Sequence, residues 1–146
     1  MMKNPTRALA LVALLALPLS SPAEAANATL YKNPHCSCCE EYAEYLRQNG
    51  FKVDVKETPD LEATTLDAGI PEKLLGCHIT FIDDYAVVGH VSAEIVQKLL
   101  KEHQPLIGVA IPGMPPGVPG MDGPKEGPIN VYAVSKDSEP TVYAVQ

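Results

Sequence analysis

The sequence predicts an α/β protein with a mixed sheet, its elements running β-α-β-α-β-β-α ahead of a proline- and glycine-rich tail. Three observations carry this. Short runs of β-branched and aromatic residues alternate with stretches of helical periodicity. Gly, Pro, Asn or Asp stands at most of the junctions between them. Two β-like runs also sit back to back across Asp83-Asp84, the mark of a hairpin, so the sheet cannot be wholly parallel.

Each element has its own local justification. Ala28-Thr29-Leu30-Tyr31-Lys32 is a short strand ended by Asn33-Pro34. Good helix formers follow over residues 39–49, with Tyr42 and Leu46 on one face and Gly50 as the stop. Phe51, Val53 and Val55 alternate with polar residues, which predicts a strand. Asp60 caps a helix reaching Ala68 and closed by Gly69, and Pro71 suits the start of a further turn over residues 72–75. Residues 79–82 and 85–88 form the hairpin. Ser92 then caps a helix with Glu94 in its first turn and Ile95, Val96, Leu99 and Leu100 inward, and His103 closes it as a favourable C-terminal charge.

Residues 105–128 hold seven of the fourteen prolines and six of the ten glycines. Such a composition predicts neither helix nor central strand. It predicts a stiff loop that loses little entropy on closing over a site. Met114 and Met121 interrupt it where a solvated linker would carry Ser or Glu. Beyond it, residues 129–134 and 141–145 predict two short edge strands.

The N-terminal segment reads as an export signal. Lys3 and Arg7 give a positive start before an apolar stretch over residues 8–19, and Ala23-Glu24-Ala25 fits an A-x-A cleavage pattern. The apolar stretch is too short to span a bilayer comfortably. Residues 1–25 are therefore expected to be removed, leaving one domain: a core over residues 26–104, with the loop and strands of residues 105–146 packed on it. The chain carries a net charge of −7 and has no basic runs, which argues against nucleic acid or an anionic membrane surface as partner.

The chemistry concentrates in sulfur. Cys36, Cys38 and Cys39 occupy four consecutive positions with Ser37, and the remaining cysteine, Cys77, is followed at once by His78. In an oxidising compartment such thiols must be oxidised, kept reduced or protected by a metal. Adjacent Cys38 and Cys39 are awkward partners for a structural disulfide framework. Glu40, Glu41 and Glu44 follow the trio and disfavour bare thiolate, as does thiolate crowding; a bound cation relieves both. Cys36 and Cys39 can face the same way at a helix entry, whereas Cys38 diverges by about a hundred degrees. This favours sulfurs shared between several ions over chelation of one. Thiolates with thioether and imidazole select soft Cu(I), and the candidate outer ligands are His78, His90, Met114 and Met121. Two alternatives stay open: a thiol–disulfide oxidoreductase using Cys36 and Cys39, and a structural zinc module, which would have little use for methionine.

The order of elements, with cysteines between the first strand and first helix, resembles the thioredoxin-like fold. Cys36 and Cys39 match the spacing of its C-x-x-C pair. In that fold the loop before the third strand lies beside those cysteines and carries a cis-proline. Gly76-Cys77-His78 holds the matching place here, without proline, so the resemblance implies that Cys77 adjoins the trio, while the missing proline argues against ordinary thioredoxin chemistry, which uses it. A larger set of motifs is more specific: Tyr31-Lys32-Asn33-Pro34 before Cys-x-Cys-Cys, Gly76-Cys77-His78, Gly89-His90-Val91, and Pro112-Gly113-Met114-Pro115 through Pro119-Gly120-Met121. Together, over residues 28–123, they resemble the periplasmic CopG-like copper-resistance proteins, a family long catalogued as of unknown function. The resemblance implies a cysteine-bridged multinuclear copper site with Cys36, Cys38, Cys39 and Cys77 as thiolates and His90, Met114, Met121 and His78 as outer ligands. It further implies a periplasmic role in copper tolerance, with interconversion of Cu(I) and Cu(II) left open. Copper ions are the implied partner, and other periplasmic copper-handling proteins are candidates for exchange.

Overall fold

The computed structural model describes residues 25–146, so the expected signal segment, apart from Ala25, lies outside the described residues. The chain runs β1 (Asn27–Lys32), α1 (Ser37–Gln48), β2 (Lys52–Glu57), α2 (Leu61–Asp67), a 3-10 turn (Glu72–Leu74), β3 (His78–Ile82), β4 (Tyr85–Val88), α3 (Ala93–Glu102), β5 (Gly108–Ala110), β6 (Asn130–Val134) and β7 (Thr141–Val145). Through α3 this is the predicted order. The strands form one mixed sheet in the order β2-β1-β3-β4-β5-β6-β7. β1 pairs with β2, and β4 with β5, in parallel; the other pairings are antiparallel.

Both faces of the sheet are covered, and the alternation of side chains along each strand divides the core in two. Leu30, Ile82, Val87, Val109 and Val131 face α1 and α3, meeting Tyr42, Leu46, Val96 and Leu99. Ile79, Ala86, Val88, Ala110 and Val134 face α2 and the 3-10 turn, meeting Leu61, Ile70 and Leu74. Burial on both sides explains why β4 is apolar at every position.

Two expectations for the tail need correction. Residues 105–128 are not free of central strand, because Gly108–Ala110 forms β5 in the interior of the sheet. The three residues precede the dense prolines, and Gly108 fits there because a Cβ would stand 1.7 Å from the Ala86 carbonyl oxygen. Secondly, β6 is not an edge strand: it lies between β5 and β7, and of the two tail strands β7 alone lies at an edge. The local pattern is the same for a short central and a short edge strand, and pairing across the sheet decides between them.

The helix termini follow the expected chemistry in part. Ser92 Oγ accepts a hydrogen bond from the Ile95 N–H at 3.5 Å, and His103 closes α3 in the left-handed region at φ 49°. Asp60 precedes α2 without capping it through its side chain; instead Thr58 Oγ1 accepts from the Asp60 N–H at 3.1 Å. Cys36 occupies the cap position of α1, also without a side-chain bond, so the sulfur cluster sits at the mouth of that helix.

Candidate metal centre

The loop after β1, the start of α1 and the entry to β3 meet at one end of the sheet. Parallel pairing of β1 with β2 and antiparallel pairing with β3 place Lys32 opposite His78, so the chain leaves β1 beside the point where it enters β3. The Sγ atoms of Cys36, Cys38, Cys39 and Cys77 all lie within 4.8 Å of one another. Cys77 stands 38 positions after Cys39, and the topology removes that distance.

The four sulfurs are not equivalent. Cys36 and Cys39 are joined in a disulfide, with Cα atoms 5.5 Å apart, while Cys38 and Cys77 are free thiols. Cys39 is fully buried, and its Sγ lies 3.3 Å from the Cys77 carbonyl oxygen. Cys38 Sγ lies 3.5 Å from Cys36 Sγ, and of the two only Cys38 is outside the disulfide. Burial first, and Cys38 beside it second, push the Cys77 thiol up to about 12. Cys77 is therefore protonated in the metal-free protein at neutral pH, and metal binding there releases a proton.

Two buried imidazoles flank Cys77. His78 Nδ1 is 3.3 Å and His90 Nε2 3.2 Å from its sulfur, and these three ligand atoms form a second group within 4.8 Å. His90 Nδ1 donates to the Pro119 carbonyl at 2.6 Å, because a carbonyl can only accept. That bond fixes the tautomer and leaves the Nε2 lone pair facing Cys77, the arrangement metal-bound histidines adopt. His78 Nε2 has no hydrogen-bond partner although the residue is 1% exposed. Burial, and then the neighbouring His90, lower the His78 pKa to about 3, with the Gly89 backbone opposing in part. Burial likewise lowers that of His90, with the Pro119 bond opposing. Both rings are neutral at pH 7 and hold lone pairs for a cation.

The proline- and glycine-rich loop closes over this end. Gly120 lies against α1 so tightly that a Cβ would stand 2.7 Å from the Tyr42 nitrogen and 3.2 Å from the Cys38 carbonyl oxygen. Its φ of 79° is also one that glycine adopts freely. Met121 lines an open cleft with Ser37, Cys38, Glu41, Gly120 and Asp122, beside the free thiol of Cys38. Met114 is 56% exposed; it follows Gly113, whose N–H reaches the Leu75 carbonyl at 3.5 Å, at the approach to Cys77. The structure thus brings six of the eight candidate ligands to one place, sets Met121 along the same cleft as Cys38, and leaves Met114 exposed.

Other contributors carry no sequence signature of a role at the site. Tyr42 stacks on His78 with ring centroids 4.7 Å apart, and its hydroxyl donates to the Val91 carbonyl at 2.7 Å. Tyr45 Oη accepts from the Ala93 N–H at 3.0 Å. The Gln146 side chain donates to the His90 carbonyl at 3.0 Å and accepts from the Ser92 N–H at 2.7 Å. The segment bearing His90 is thus held by three side chains from α1 and the residue after β7. Periodicity marked Tyr42 as a core residue; nothing in the sequence marked Gln146 or the Pro119 carbonyl. His35 adopts φ 66° and shapes the turn before Cys36. Lys32 pairs with Glu40 at 3.2 Å and Glu57 at 3.3 Å; burial alone would lower its pKa, but the two carboxylates raise it.

Fold and side chains together define a class: an α/β domain with a thiol and imidazole cluster, at one end of its sheet, that could hold a metal ion. The relatives narrow it. Two solved structures, both of the copper resistance protein CopG (Form 1 and Form 2), match with a TM-score of 0.78 and 33% sequence identity. They cover 84% of this chain and 98% and 99% of their own. A family model described as a protein of unknown function, DUF411, matches residues 74–121. None of the curated proteins matches the chain. The chain belongs to the CopG family.

Proposed function

We propose that this protein binds copper as part of copper resistance, holding Cu(I) in a multinuclear site bridged by Cys36, Cys38, Cys39 and Cys77 once the Cys36–Cys39 disulfide is reduced. The observation that carries the reading is the convergence of Cys77 on the trio, with all four sulfurs within 4.8 Å. Four thiolates, two neutral imidazoles and a nearby thioether form a soft donor set, which selects Cu(I) over harder ions. Crowded thiolates in one place suit sharing between ions, since each sulfur can bridge. His90 and His78 serve as terminal nitrogen ligands, and Met121 completes the side nearest Cys38. The resemblance to CopG, whose name states copper resistance, supports the role. Interconversion of Cu(I) and Cu(II) is a further activity open to such a site.

The same reading places the protein in the periplasm, delivered by residues 1–25. Among the described residues no helix is long and apolar enough to cross a membrane. Fractionation with mass measurement of the processed chain tests this: a cytoplasmic, full-length product refutes export.

Anaerobic titration of the reduced protein with Cu(I) against a chromophoric chelator tests the central claim. More than one equivalent is expected, falling on Cys38→Ser. A single equivalent indifferent to Cys38 refutes the bridged site.

The Cys36–Cys39 disulfide favours one second reading, a thiol–disulfide oxidoreductase. It predicts disulfide exchange by metal-free protein, lost on Cys36→Ser. The partial exposure of Cys36 is in its favour; the carboxylates of Glu40 and Glu41 after the pair oppose a nucleophilic thiolate.

A further inference from the structure

The disulfide removes two of the four thiolates, yet it leaves the other two where a metal would want them. Cys38 and Cys77 are the free pair, and their sulfurs lie within the 4.8 Å that spans the whole group. An ion about 2.3 Å from each sulfur joins atoms up to about 4.6 Å apart. Cys77 also belongs to the second group, with His78 and His90. Its sulfur is 3.2 Å from His90 Nε2. A tetrahedral ion places such an S and N about 3.6 Å apart, so a small ring displacement admits it. The His90 Nδ1–H bond to Pro119 holds the donor lone pair on this side before any metal arrives. His78 Nδ1, 3.3 Å from the same sulfur, brings a second imidazole nitrogen to the pocket.

We infer that the disulfide-containing chain is itself a metal-binding form, holding one soft ion between Cys38 and Cys77 with His90 as third donor. Reduction of the disulfide by an external dithiol then enlarges the site. In that step the dithiol gives two electrons and two protons, the Cys36–Cys39 bond breaks, and the dithiol closes to its own disulfide. Two further thiols thereby join the resident ion. Capacity for metal becomes a function of thiol redox state, with the oxidised protein a low-capacity holder rather than an inactive one. The inference rests on the copper reading above.

The test compares two forms of the full protein. Protein purified without reductant should show two alkylatable thiols after denaturation. Titrated anaerobically with Cu(I) against a chromophoric chelator, it should bind one equivalent, and mass measurement afterwards should find the disulfide intact. The reduced protein should bind more. Cys38→Ser and Cys77→Ser should each abolish the single equivalent of the oxidised form. A Cys36→Ser/Cys39→Ser double variant, which cannot form the disulfide, should bind one equivalent with or without reductant. If the oxidised form binds none while the reduced form binds several, the inference fails and the copper reading stands. If neither form binds, both fail. An equivalent that survives loss of Cys38 or Cys77, or that appears only as the disulfide is lost, also overturns the inference.

Discussion

Gly120→Ala tests whether the seating of the proline- and glycine-rich loop on α1 organises the metal centre. The added Cβ would stand 2.7 Å from the Tyr42 nitrogen and 3.0 Å from its Cα, both backbone atoms of a helix that cannot yield cheaply. The left-handed φ of 79° adds about 1–2 kcal/mol of backbone strain, and overpacking against α1 adds about 1–3 kcal/mol. Gly113→Ala is the matched control, because its φ is 71° and nothing lies within 4 Å of its Cβ position. Any gain from a stiffer unfolded chain is common to both variants. In urea unfolding of the metal-free protein, Gly120→Ala should therefore lose about 1–3 kcal/mol more than Gly113→Ala. The displaced loop also takes Pro119 away from His90 and Met121 away from Cys38. Cu(I) affinity should fall about 10–100-fold in Gly120→Ala, as when an outer partner of a ligand is lost, and stay near that of the parent in Gly113→Ala. Equal stability and equal affinity in the two variants would refute the reasoning.

Gln146→Ala should destabilise the fold by about 1–3 kcal/mol, since it strips partners from the His90 carbonyl and the Ser92 N–H; chemical denaturation checks this. The same variant should weaken the nitrogen contribution to X-ray absorption of the copper-loaded protein, which an unrelated structural loss would leave unchanged. Tyr42→Phe leaves the Val91 carbonyl unpaired and should cost about 1–3 kcal/mol by the same assay. The metal-free protein should lose stability in acid. His78 titrates near 6.5 when unfolded and near 3 when folded, so the unfolded chain binds the extra proton between those values. Its contribution is complete above pH 6.5 and declines as pH falls toward 3, and a denaturation midpoint flat across that range would count against a buried neutral His78.

How far the fold could be read from the chain depended on whether the cause was local. The helices α1 and α3 were legible because 3.6-residue periodicity and their stop residues are properties of a dozen neighbouring positions. β5 was not, since three residues beside a proline-rich run carry too little pattern, and its partners β4 and β6 lie well away in sequence. The candidate ligands were legible by type: sulfur clustered at a helix mouth, histidine after Cys77, methionine in a stiff loop. Their supports were not. A backbone carbonyl such as that of Pro119 belongs to every residue, and the Gln146 amide looks like any other until β7 delivers it to Ser92. The disulfide between Cys36 and Cys39 stood among the open alternatives, because C-x-x-C spacing permits either pairing or ligation.

The amino-acid sequence alone thus determined the alternation of elements and the soft character of the donor atoms, both of which follow from the chemistry of contiguous residues. Only the tertiary structure decided that Cys77 meets the trio, that Met121 shares a cleft with Cys38 while Met114 stays exposed, and that His90 faces the sulfur through Nε2. Those outcomes depend on strand order and on hydrogen bonds between residues far apart in the chain. A folded chain settles them by satisfying its buried polar groups together.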